Sequence, residues 1–173
     1  MISDLSDAVD PVYLDGLGDV ALELVREKRA ECADLENGVS FVRRVAQGRL
    51  DVLDAEVKSR AEGAGGDLTS VVDSLATTLS ESVMASGSGR IDVNVEPPAQ
   101  IVQELTAVLD QRVPASVVSA VAELSDEDLM VSVAGLKQFE EELSSSRRSL
   151  HDTIDALNQE LARRIVDGDS VSI

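Results

Sequence analysis

Apolar side chains recur every three or four residues in two long stretches of the chain. The first stretch runs from about 21 to 62 and the second from about 126 to 167. The repeating positions are Leu35, Val39, Val42, Ala46, Leu50, Leu53 and Val57 in the first, and Leu129, Leu136, Leu143, Leu150, Ile154, Leu157, Leu161 and Ile165 in the second. This spacing places the apolar residues on one face of an α-helix. Helices of about forty residues are too long for ordinary globular packing. We therefore expect an all-α fold with a long antiparallel coiled-coil-like helix pair and shorter covering helices.

The rest of the chain divides at glycine and proline residues. Pro11, Gly16 and Gly18 predict an irregular acidic N-terminus over 1–20, and the glycines from Gly63 onward end the first long helix. Short helices and a linker are expected over 63–125, with helices at 67–84, 100–112 and after Pro114, and the linker at about 85–99. Ser125 is followed three residues later by an acid, which predicts the start of the second long helix. Residues 168–173 are expected to form a tail.

Composition and charge restrict the class of protein. Aromatic residues make up 2%, so Leu, Val, Ile and Ala must build the core. The single cysteine, Cys32, rules out an internal disulfide and favours a reducing cytoplasm. The N-terminus does not resemble a signal peptide, and no apolar run is long enough for a membrane span. A net charge of −18 disfavours direct DNA binding, because nucleic-acid phosphates would be repelled.

Two segments share a polar pattern at the same spacing. ENGVSFVRRVAQGRLD begins at Glu36, and EEELSSSRRSLHDTID begins at Glu140. Polar residues fall at offsets 0, 4, 7, 11 and 15, which a helix of about 100° per residue gathers into one narrow stripe. The stripe comprises Glu36, Ser40, Arg43, Gln47 and Asp51 in the first copy and Glu140, Ser144, Arg147, His151 and Asp155 in the second. Apolar residues flank the stripe in both copies. If the apolar faces pack together, the stripes meet in a site with approximate two-fold symmetry.

The residue types in the stripes suit a guanine-containing ligand. Arginine presents a planar fork to phosphate or to guanine O6 and N7. Aspartate and glutamate accept from the N1–H and N2–H groups of guanine, and the two glycines of the first copy, Gly38 and Gly48, could let a flat base approach the backbone. Acids and arginines at these spacings also form ordinary ion pairs along a single helix. Charge and geometry alone therefore leave two interpretations open, a guanine-binding site and ordinary ion pairing along each helix.

The complete spacing, Glu-x3-Ser-x2-Arg-x3-Gln-x3-Asp, resembles the signature of RsiG-type anti-sigma factors of actinobacteria. The first copy matches all five positions, and the second matches four, with His151 where the family has Gln. The resemblance extends over both long helices. It implies that the motifs hold cyclic di-GMP as a dimer, with Arg43, Asp51, Arg147 and Asp155 contacting guanine and the other six motif residues in support. It also implies that the loaded protein binds a sigma factor of the flagellar and sporulation class and so represses transcription.

Two other functions compete with this one. The chain could be a structural helical adaptor that binds no nucleotide. An enzyme acting on cyclic dinucleotides is the weaker alternative, because phosphodiester hydrolysis normally uses clustered metal ligands, and the chain has one histidine and no acids at metal-ligand spacing. We therefore expect no catalytic residues and no metal.

Overall fold

The computed structural model describes residues 2–63 and 97–167 and is all-α over that part of the chain. Its helices are α1 (Ser3–Ala8), α2 (Leu22–Ala61), α3 (Ala99–Arg112), α4 (Ala115–Ser119) and α5 (Asp126–Asp167). Single 3-10 turns lie at Pro11–Leu14, Leu17–Asp19 and Val121–Glu123. The helix expected at 67–84, the tail, and the linker up to residue 96 lie outside the described residues.

Local sequence signals set the ends of the two long helices. Gly63 follows α2 with a φ of 74°, which a residue with a side chain rarely adopts, and its N–H donates to the Arg60 carbonyl at 3.1 Å. At the start of α5, the Ser125 hydroxyl accepts from the Asp128 N–H at 3.1 Å and donates to the Asp128 carboxylate at 2.7 Å. The predicted cap at Ser125 is confirmed.

The N-terminus is more ordered than its sequence predicts. The expectation of an irregular segment over 1–20 is wrong at α1, a helix of six residues. Leu5 and Ala8 are buried, and the Thr153 hydroxyl donates to the Ala8 carbonyl at 3.2 Å. A helix this short is unstable alone, so packing against α5 stabilises it. Glycine and proline positions indicate the local backbone propensity, but they give no information about such tertiary contacts.

The described residues divide into two compact units, each containing a part of α2 and a part of α5. The first unit takes residues 2–42, 97–106 and 142–167. In it the two long helices run antiparallel: Arg29 Nε donates to Asn158 Oδ1 at 3.2 Å, and Arg164 donates to the carbonyls of Val20, at 2.6 Å, and Leu17. Its core consists of aliphatic side chains and Cys32, with Val25, Leu35, Val39, Val42, Leu105, Leu143, Leu150 and Leu157 all buried.

The second unit takes residues 43–63 and 107–141. Its long-helix segments are also antiparallel, since Arg60 at the end of α2 pairs with Asp126 at the start of α5 at 2.7 Å. Arg60 also donates to the carbonyls of Val121 and Leu124, and so holds the chain before α5 against α2. Its core includes Ala46, Leu53, Leu109, Val113, Leu129, Val133, Leu136 and Phe139. The predicted helix pair, with shorter helices covering it, is therefore confirmed within each unit.

Candidate functional site

In the first unit, three motif residues surround one carboxylate oxygen of a fourth, Glu36. Glu36 Oε1 accepts from Ser40 Oγ at 2.8 Å and from Arg147 Nε at 2.8 Å, and His151 Nε2 lies 3.4 Å away. Glu36 and Ser40 come from α2, while Arg147 and His151 come from α5. The acid of the first motif copy therefore binds the basic residue of the second.

The second unit contains the reciprocal arrangement. Glu140 Oε1 accepts from Arg43 Nη1 at 3.0 Å and from Gln47 Nε2 at 3.1 Å. Here the acid belongs to the second copy, and the arginine and amide belong to the first. In both units, the residue at offset 0 of one copy pairs with those at offsets 7 and 11 of the other. His151 and Gln47 take equivalent places, as their shared offset predicts.

The pairing connects two helices and does not run along one. Ser40 and Glu36 do interact four residues apart on α2, but Arg43 and Arg147 each reach a glutamate on the opposite long helix. Ordinary ion pairing within a single helix therefore does not account for the motif arginines. Sequence reasoning missed this exchange. The exchange could have been inferred from the identical offsets of the two copies. In an antiparallel pair, a contact from offset 0 of the first copy to offset 7 of the second can be matched by a contact from offset 0 of the second copy to offset 7 of the first.

Glu36 is the most enclosed charged group of its cluster. Its side chain is 17% exposed, against 40% for Arg147 and 50% for His151. Burial opposes ionisation of this carboxyl, yet the hydrogen bonds from Arg147 and Ser40 and the nearby positive charge outweigh it. The pKa of Glu36 is consequently lowered from its ordinary value. Glu36 is thus held as a carboxylate that orients Arg147.

Arg43 has an unsatisfied donor. Its Nε atom is buried and has no hydrogen-bond partner among the described residues. A buried polar group in this condition costs about 1–3 kcal/mol. Since a guanidinium carries five N–H donors, the contact to Glu140 satisfies only part of the group. Because Nε is enclosed by protein, its unmade hydrogen bond is a local cost and does not by itself offer a donor to an added ligand.

The remaining predicted site residues lie on the same helices. Asp51 and Asp155 are exposed, and Ser144 is partly buried. Asp51 belongs to the second unit with Arg43, and Asp155 to the first unit with Arg147. Each unit thus contains one motif arginine and one motif aspartate of the same copy.

The expected role of Gly38 is wrong. A Cβ atom at this position would overlap Cγ2 of Ile101 on α3, so the side of α2 that lacks a side chain is occupied by protein. The glycine permits close packing of α3 and not the approach of a base. A Cβ at Gly48 would meet no atom within 4 Å, and its predicted role is untested.

Two general features of the described residues bear on the kind of site. Within 2–63 and 97–167, no group of three or more His, Cys, Asp or Glu side chains is arranged to hold a metal ion. In the same residues, no helix is long and apolar enough to cross a membrane.

Fold and site thus define an all-α protein with reciprocal polar clusters on two antiparallel helices. A family model described as RsiG-like matches residues 11–79 and 116–172, which include both motif copies and well over half of the chain. The chain belongs to the RsiG-like family. The family indicates an anti-sigma factor role, with a sigma factor as partner, and is not a family of enzymes. No curated protein matches the chain.

Proposed function

We propose that the protein is an anti-sigma factor that binds cyclic di-GMP through its two motif copies and sequesters a flagellar- and sporulation-class sigma factor when loaded. The observation that carries this proposal is the exchange of partners between the copies, in which Glu36 holds Arg147 and Glu140 holds Arg43. Each glutamate fixes one edge of a guanidinium fork. A fixed fork loses less side-chain entropy when it binds a planar acceptor.

We expect the arginine and the aspartate of one copy to contact different bases. Arg43 and Asp51 are eight residues apart on α2, a rise of about 12 Å, which is further than one guanine base spans. The same separation holds for Arg147 and Asp155 on α5. A ligand with several guanines, such as a dimer of cyclic di-GMP, offers separate bases to the arginine and the aspartate of one copy. The arginines would donate to guanine O6 and N7, and the aspartates would accept from N1–H and N2–H.

Gating requires that the loaded and empty protein differ in affinity for sigma. The ligand would join donors and acceptors from α2 and α5 and so hold the two helices in the arrangement that sigma recognises. The coupling is reciprocal, so sigma must tighten cyclic di-GMP binding by the same factor as cyclic di-GMP tightens sigma binding. Typical couplings correspond to about 5- to 150-fold in affinity.

The test is a calorimetric titration of the protein with the flagellar- and sporulation-class sigma factor of the same organism, with and without cyclic di-GMP. We expect tight binding only with the nucleotide. Equal sigma binding in both conditions would reject the gate and keep the anti-sigma role. If neither condition gives binding while cyclic di-GMP still binds, the protein is a nucleotide-binding helical protein with another partner.

A further inference from the structure

A groove unrelated to the motif residues lies in the first unit. It has a volume of about 620 Å³ and is walled by α2, the start of α3 and the N-terminal end of α1. Along α2 it extends from Leu24 to Leu35, about 16 Å at 1.5 Å per residue. We call it the acidic groove. A groove of this length is of the kind that accepts two to three turns of an amphipathic helix.

The floor of the acidic groove is apolar. Leu24 is 40% exposed, and it lines the groove with Leu35 and Ile101. The contact between Ile101 and Gly38 sets how closely the α3 wall approaches α2. This floor offers an anchoring position for an apolar side chain of a partner.

The rim is strongly acidic. Five carboxylates line the groove, and they belong to Asp4, Glu27, Glu31, Asp34 and Glu104. Lys28 is the one basic residue among the lining residues, and its Nζ is turned to Tyr13, donating to that carbonyl at 2.8 Å and lying 3.9 Å from the ring centre. Carboxylates gathered around a concave apolar surface give a negative potential that attracts a cationic partner. The complementary occupant has apolar anchors flanked by lysine or arginine.

We infer that the acidic groove docks a basic amphipathic segment of the sigma factor, an inference that rests on the proposed function. A protein that contacts promoter DNA must carry basic surfaces, and such a surface complements this rim. A second copy of this chain fits poorly, because with a net charge of −18 it would bring acidic surface to an acidic groove. None of the ten motif residues lines the groove, so ligand binding and groove docking can be separated by mutation.

The test uses charge reversal of two exposed rim residues, Glu27→Lys with Asp34→Lys, in the full chain. Lysine is a good helix former, so α2 should persist, and circular dichroism checks this. The matched control is Glu62→Lys with Glu123→Lys, which changes the net charge equally at exposed positions outside the groove. A third variant, Leu24→Gln, removes the apolar anchor and leaves the charge unchanged.

Sigma affinity is measured with cyclic di-GMP present at two salt concentrations, and cyclic di-GMP affinity is measured separately. We expect the rim variant to bind sigma about tenfold more weakly at low salt, with a smaller loss at high salt. The rim charges act by attracting the partner electrostatically, and salt screens that attraction. Leu24→Gln should lose about threefold or more at both salt concentrations. The control should stay within about twofold of the unmodified protein, as should cyclic di-GMP binding by all variants.

Each other outcome overturns the inference. If the rim variant binds sigma with the same affinity as the control, the groove is not the docking site, while the proposed anti-sigma function is retained. Loss of cyclic di-GMP binding in the rim variant would trace the effect to the ligand site. If the unmodified protein loaded with cyclic di-GMP does not bind sigma, both the proposed function and docking in the groove are rejected. A dimer in sedimentation that the rim variant abolishes would assign the groove to a second copy.

Discussion

The close packing of α3 against Gly38 can be tested with a single methyl group. In Gly38→Ala, the new Cβ would overlap Ile101 Cγ2 and lie 3.2 Å from Ile101 Cβ. Rotation of the Ile101 side chain can move Cγ2 away, but it leaves the contact to Cβ tight, so α3 must also shift slightly. Overpacking of this kind costs about 1–3 kcal/mol.

The matched control is Gly48→Ala on the same helix, where the added Cβ meets nothing within 4 Å. Both variants gain up to about 1 kcal/mol of helix propensity, so this gain cancels in their comparison. The unfolding free energies should then differ by about 1–3 kcal/mol, with Gly38→Ala the less stable. At about 2–4 °C per kcal/mol for a chain of this size, the melting temperatures should differ by roughly 2–12 °C.

The assay is thermal unfolding followed by circular dichroism at 222 nm, with urea unfolding as a second measure. Adding Ile101→Ala to Gly38→Ala removes Cγ2, the atom that would overlap, and leaves only the tight contact to Cβ. The steric conflict should be relieved in large part, so the pair should show a favourable coupling in a double-mutant cycle. If Gly38→Ala stabilises the protein as much as Gly48→Ala does, the contact between α2 and α3 described here is incorrect.

Two further predictions concern Glu160 and His151. Hydrogen bonds from Arg163 and Arg164 lower the pKa of Glu160 to about 2; its stabilising effect should therefore be complete above the unfolded pKa of about 4.3 and lost as pH falls toward 2. Melting temperatures between pH 5 and 2 should fall less steeply in Glu160→Gln, and parallel curves would contradict this. His151→Gln should retain cyclic di-GMP binding, because an amide offers a donor and an acceptor in the place that Gln47 takes in the other cluster. Loss of binding in this variant, measured by calorimetric titration, would contradict the equivalence of His151 and Gln47.

The sequence predicts features that depend on neighbouring residues. The helix ends at Ser125 and Gly63 follow from local hydrogen bonding and backbone conformation. The apolar periodicity of α2 and α5 indicates which faces of these helices are buried. These signals require no knowledge of what lies across the core. The all-α fold with its long helix pair could therefore be predicted.

Features that depend on the register between helices could not be predicted in this way. The stripes indicate that Arg43 and Arg147 lie on polar faces, but only the relative displacement of two helices decides that their partners are Glu140 and Glu36. Gly38 shows the same limit. A glycine in a helix indicates a close approach, and the approaching group is Ile101, more than sixty residues away. The acidic groove also combines three separate helices, although its acids lie three and four residues apart on α2.

The central claim is that the two motif copies bind cyclic di-GMP. The most direct measurement is a calorimetric titration with cyclic di-GMP and, separately, cyclic di-AMP, whose adenines lack the O6 acceptor and the N1–H and N2–H donors. It is repeated on Arg43→Ala with Arg147→Ala, and on the control Arg44→Ala with Arg148→Ala, which removes two exposed arginines next to the motif positions. We expect saturable binding of cyclic di-GMP, at least about tenfold weaker binding of cyclic di-AMP, strong loss in the motif variant and little change in the control. Equal affinity for both dinucleotides, or equal loss in both arginine variants, would contradict the claim.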